Sequence, residues 1–132
     1  MVAALSSIDW GRLRVAAAVV YGSALWSPRP RDVDVLVVPG EGFRLEDEVR
    51  VMEAVEEATG LPADIHVVDL GDPDCFLVEE ALAHGEIVYL HPRVGAGLLA
   101  RLALVCWDYM TMRRRLGYTR TLLRRAESLG GP

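Results

Sequence analysis

Lysine, asparagine and glutamine are all absent from this 132-residue chain, so each of its 14 basic residues is an arginine. The missing heat-labile amides fit a heat-adapted source, a thermophile with GC-rich DNA. Also lacking is any apolar stretch near the roughly 20 residues that a membrane span needs. The opening Met1-Val2-Ala3-Ala4-Leu5-Ser6-Ser7-Ile8-Asp9 has no basic flank of the kind that marks a signal peptide. The expected location is therefore the cytoplasm, with no membrane partner. Cysteine occurs twice, at Cys75 and Cys106, too far apart in sequence to make a metal-spaced pair, and both are expected to be buried thiols. Three scattered histidines, His66, His84 and His91, give no zinc spacing.

What is present is half apolar and a quarter charged, enough for one domain with a single core. The charge is unevenly placed. Residues 1–94 carry 17 acids and 7 arginines, a net charge of −10, whereas residues 95–132 carry 2 acids and 7 arginines, a net charge of +5. An acidic body can attract cations and a basic tail can attract an acidic partner.

Ser6 or Ser7 can cap a short helix through about Arg14, and Val15 to Tyr21 reads as a buried first strand. Pro28 and Pro30 keep the stretch from Ser23 to Asp32 irregular. A second strand runs from Val33 to Val38. Helical spacing of Val49, Met52, Ala54, Val55 and Ala58, with acids on the other side, marks a helix from Leu45 that Gly60 ends. A third strand follows from Asp64 to Leu70. Asp72-Pro73-Asp74 starts a helix through about His84, where an imidazole in the last turn needs no catalytic role. Ile87 to Leu90 makes a fourth strand. From about Val94 to Leu129 the pattern is helical again, with Gly117 as a point where it could bend or break.

This order of elements gathers five residues. Strands one and two are joined by a loop and should pair antiparallel, which lays Gly22 and Ser23 beside Asp32 and Asp34. Strands two and three are joined by a helix and should run parallel, which brings the start of strand three, Asp64, to the same edge. Side chains in a strand alternate faces, so Asp32 and Asp34 share one side about 7 Å apart. His66 shares a face with Asp64 and could line the site, although a partly buried structural histidine is the preferred reading. Three clustered carboxylates repel one another unless a cation lies between them, and a Gly-Ser turn gives a phosphate close approach to backbone and hydroxyl. Together these are the parts of a two-metal phosphoryl or nucleotidyl transferase.

Gly22-Ser23, then Asp32-Val33-Asp34, then Asp64 in a following strand resembles the pattern of the DNA polymerase β-like nucleotidyltransferase superfamily. Phe76-Leu77, Glu80-Ala81-Leu82 and Gly85-Glu86-Ile87-Val88-Tyr89 are similar to its minimal nucleotidyltransferase (MNT) branch, so that about residues 15–90 are covered. The resemblance implies an α/β (α+β) fold: a nucleotidyltransferase-like mixed sheet of about four strands with flanking helices and a long C-terminal helical extension. It implies residues 1–92 as the nucleotidyltransferase domain and 93–132 as the extension within the same structural unit. By the same resemblance Asp32, Asp34 and Asp64 would be the catalytic metal ligands for Mg²⁺ or Mn²⁺, with Asp64 helping to deprotonate the acceptor hydroxyl. Gly22 and Ser23 would hold the triphosphate of ATP, the substrate. Members transfer AMP to a hydroxyl, and those of antitoxin type pair with a HEPN-domain toxin in a toxin–antitoxin system. The chain departs from the pattern in a loop, Ala24 to Arg31, about two residues shorter than usual, and in Arg31 where a serine is usual.

The tail carries Leu98, Leu102, Val105, Tyr109, Met112, Leu116, Leu123 and Ala126 on a helical seam longer than the body can cover. Residues 95–127 are therefore expected to meet a small helical protein of HEPN type or a second copy of the chain. Arg113, Arg114 and Arg115 with Arg120, Arg124 and Arg125 read as the solvated side of that helix; nucleic acid is an unlikely partner because the acidic body opposes it. Two other functions stay open: a non-catalytic nucleotidyltransferase-like module that neutralises its partner by contact, and a nucleotidyltransferase acting on a small molecule.

Overall fold

The computed structural model of the chain describes residues 1–129. A four-stranded mixed sheet is built from β1 (Val15–Tyr21), β2 (Val33–Pro39), β3 (Ala63–Val67) and β4 (Glu86–Leu90) in the order β3-β2-β1-β4. β1 pairs antiparallel with β2 and with β4, and β2 pairs parallel with β3. The helices are α1 (Val2–Ser6), α2 (Leu45–Thr59), α3 (Cys75–His84) and α4 (Gly95–Leu129).

All seven residues of β1 are buried, because this inner strand is covered on both faces and so reads as an unbroken apolar run. On one face Val19, Tyr21, Leu36 and Val38 pack with Val78 and Ala81 of α3 and with Leu99 and Leu102 of α4. On the other, Val20, Val33, Val35 and Val37 pack with Leu5, Trp10, Val51 and Val55. Each fully buried Val or Leu contributes about 1.5–3 kcal/mol, so both helical layers are integral to the core.

Several expectations need correction. The first helix is α1, Val2–Ser6, and residues 7–14 form turns. Trp10 is the reason: its ring is buried and its indole Nε1–H donates to the Leu5 carbonyl at 2.9 Å, which folds the chain back before Arg14, itself at φ 61°. In α2 the buried residues are Asp47, Val51 and Val55, while Val49 and Met52 are exposed. Asp47 is buried because its Oδ2 accepts the Arg44 N–H at 2.9 Å and so caps the helix. Gly60 takes the left-handed conformation, φ 71°, and closes α2 as expected. A 3₁₀ turn, Gly22–Leu25, occupies the start of the stretch expected to be irregular. β3 ends at Val67, and α3 begins at Cys75 with the Asp74 side chain accepting from the Leu77 N–H. Cys75 and Cys106 are joined in a disulfide between α3 and α4, in place of two thiols.

α4 passes through Gly117 without a break. Its buried residues are Leu99, Leu102 and Cys106, whereas Val105, Tyr109, Met112, Leu116 and Leu123 are exposed. Two arginines expected on the solvated side return to α3. The Arg113 guanidinium lies 4.8 Å from the centre of the Phe76 ring, and Arg114 donates to Glu79 at 3.0 Å. No helix among the described residues is long and apolar enough to cross a membrane.

Candidate metal and nucleotide site

The antiparallel β1–β2 ladder sets Tyr21 opposite Asp34, and the parallel β2–β3 ladder sets Asp34 opposite Asp64. Gly22 follows immediately, so the turn that leaves β1 rises beside Asp34. Its φ is 78°, and a Cβ built there would stand 2.7 Å from Asp34 Oδ2. Only a glycine leaves that carboxylate room. Ser23 is partly buried in the 3₁₀ turn, and its carbonyl accepts from the Ser27 N–H at 2.8 Å.

His66 stands two residues beyond Asp64 on the same strand face. Its Nε2 is 3.2 Å from Asp64 Oδ2 and 4.0 Å from Asp34 Oδ1. Asp34, Asp64 and His66 each offer one donor atom, and the three donors lie within 4.8 Å of one another. The structure thus brings Asp34, Asp64 and Gly22 together, adds His66, and leaves Asp32 outside this cluster. Asp32 is exposed one residue before β2 begins, and its negative charge acts on Asp34. The strand alternation already put His66 on the Asp64 face, and the histidine is partly buried, as expected.

The electrostatics are those of crowded acids. Asp34 is raised from its ordinary 3.8, first by burial and then by the negative charges of Asp32 and Asp64, with His66 pulling the other way. The Tyr21 phenol is raised from 10.0, again by burial first and then by Asp34 and Asp64. Tyr21 therefore stays protonated, and its ring lies tilted against the His66 imidazole with centroids 6.2 Å apart. Two carboxylates and an imidazole form a donor set that can hold a divalent ion, and such an ion would relieve the repulsion around Asp34.

No protein-family profile and no curated protein matches the chain. Solved structures do. A chain in a Shewanella oneidensis complex of a tri-AMPylated HEPN toxin with MNT antitoxin is 10% identical, with a TM-score of 0.58 over 92% of this chain and 99% of that one. A chain in a toxin–antitoxin structure with AMP-PNP is 11% identical, with a TM-score of 0.57 over 83% and 87%. A chain of the toxin–antitoxin MntA–HepT is 10% identical, with a TM-score of 0.56 over 89% and 97%. This chain shares their fold. At about one residue in ten identical, the fold is what the chains have in common; here the Asp34–Asp64 pair and the Gly22 turn stand at one end of the sheet.

Proposed function

We propose that the protein is a metal-dependent nucleotidyltransferase that moves AMP from ATP to a hydroxyl of a partner protein, as the antitoxin of a HEPN/MNT pair. One observation carries the reading: Asp34 faces Asp64 across β2 and β3 directly beneath the Gly22 turn, in a fold shared with MNT antitoxins. A divalent ion, Mg²⁺ or Mn²⁺, held by Asp34 and Asp64 with the charge of Asp32 beside them, would neutralise triphosphate charge there. Gly22 and Ser23 bind the phosphates through backbone N–H and hydroxyl. Asp64, whose side chain is 60% exposed, is open to an incoming hydroxyl and takes its proton. The hydroxyl oxygen then bonds to the α-phosphorus as the bond to pyrophosphate breaks.

The long surface that α4 offers favours a protein acceptor over a small molecule. The apolar side chains on α4 from Val105 to Leu123 support residues 95–127 as the partner-binding surface. The experiment supplies α-labelled ATP, Mg²⁺ or Mn²⁺ and a helical HEPN-type protein as the partner. Label should move to a hydroxyl of that protein with release of pyrophosphate, and Asp64→Asn should stop it.

A second reading has its own support. Asp32 stands outside the cluster of Asp34, Asp64 and His66, and the loop before it is short. A protein with that departure can neutralise its partner by contact alone. Silencing of the partner without any label transfer would favour the binding module.

A further inference from the structure

Asp34 and Asp64 are joined by a third donor of different chemistry. His66 belongs to β3, pairs with Leu36 in register and packs beside the Tyr21 ring, so strand and aromatic neighbour both fix its imidazole. Its Nε2 faces the two carboxylates at 3.2 and 4.0 Å. Donors bound to one ion at about 2.1 Å stand about 3 Å apart when adjacent and about 4.2 Å apart when opposite. The His66 distances fall inside that range. The widest separation in the cluster, up to 4.8 Å, needs only a modest turn of the exposed Asp64 side chain.

We propose that His66 is a ligand of the ion held by Asp34 and Asp64, and that its imidazole shifts the site away from Mg²⁺ toward first-row transition ions such as Co²⁺ and Zn²⁺. The inference rests on the metal-site reading above and adds the identity of the third ligand and of the ion class. Mg²⁺ is a hard ion that favours oxygen and gives up water reluctantly, so a nitrogen donor adds little to its binding. Imidazole nitrogen suits the later first-row ions, whose affinity for nitrogen sites rises along the series. Two carboxylates alone would also prefer Co²⁺ over Mg²⁺. The contribution of His66 is therefore the change in that ratio when the imidazole is removed.

The test uses the full chain at one fixed pH, without nucleotide. Calorimetric titration with MgCl₂ and CoCl₂ is done on the wild type, His66→Leu and Asp34→Asn, and pulsed electron paramagnetic resonance is recorded on the Mn²⁺-loaded wild type. The Co²⁺/Mg²⁺ affinity ratio should fall roughly tenfold or more in His66→Leu, with Mg²⁺ binding altered little. The resonance spectrum should carry the nitrogen coupling of a bound imidazole. That spectrum needs no variant, so poor folding of His66→Leu would not blunt the test. Ion binding lost in Asp34→Asn, together with an unchanged ratio in His66→Leu and no nitrogen coupling, would overturn the His66 assignment and leave the carboxylate site standing. Wild type that binds neither ion would overturn both.

Discussion

Gly22 and Asp34 occupy a space that admits no further atom: the glycine has φ 78°, and a Cβ on it would meet the Asp34 carboxylate at 2.7 Å. The turn that would hold phosphate and the acid that would hold metal are thus one packed unit. Either can be disturbed through the other.

Gly22→Ala should therefore act twice. A side chain at this φ costs about 1–2 kcal/mol of backbone strain, and the new methyl displaces Asp34 rather than backbone. Thermal unfolding should show the protein folded and slightly destabilised, with the rise in melting temperature produced by Mn²⁺ and ATP largely gone. An undiminished rise would separate the turn from the metal ligand.

Asp34→Asn should stabilise the metal-free protein. Asp34 has a folded pKa above its ordinary 3.8, so the folded state holds its proton more tightly than the unfolded chain. Stability from this group falls as pH rises from about 3.8 through the folded value, and the penalty is complete above it. The variant should be more stable than the wild type at neutral pH and no more stable below the ordinary carboxylate pKa. Added Mn²⁺ should reverse the order, raising the wild type by mass action and leaving the variant unmoved. Denaturant melts at several pH values, with and without the ion, check both signs.

The disulfide should matter more than either cysteine. It closes a separation of 31 residues between α3 and α4, for which loss of unfolded-state entropy predicts about 3–4 kcal/mol. Reductant, or Cys75→Ser with Cys106→Ser, should lower the unfolding free energy by that amount and the midpoint with it. A midpoint insensitive to reductant would mean that the packing of α3 on α4 carries the contact alone.

Two leucines on one helix should behave oppositely. Leu102 is buried against the sheet, so Leu102→Ala should cost about 2–5 kcal/mol. Leu123 is 58% exposed, and Leu123→Asp should change stability by less than about 0.5 kcal/mol while weakening partner binding about tenfold or more. Shortening the chain at Pro92 is no fair test of that surface, because it strips Leu99 and Leu102 from the core. A cut after Thr111 keeps both.

The strands were readable because β-branched runs bounded by Pro and Gly have few other uses, and the edge where Gly22, Asp34 and Asp64 meet followed from connectivity alone. Trp10 was not readable in that way: its hydrogen bond to Leu5 overrides the serines that could have capped a helix. Asp47 looked like one more surface acid in an acidic helix until its capping bond buried it. The pairing of Cys75 with Cys106 depends on how α4 crosses α3, which periodicity does not encode. Asp32 lies one residue before β2, so strand alternation alone does not fix where its side chain points, although its charge is felt at Asp34.

α4 has 35 residues, a length of about 52 Å at 1.5 Å per residue. A compact globule of 132 residues has a radius of gyration of about 14 Å, hence a diameter of about 36 Å. Beyond Cys106 no described side chain is fully buried. Drag grows with such a projection while mass does not, so a single molecule should elute from a sizing column ahead of a sphere of 14.5 kDa and tumble anisotropically in solution. Elution volume alone would then mimic a dimer, and only a measurement of mass, by light scattering or sedimentation equilibrium, counts the chains.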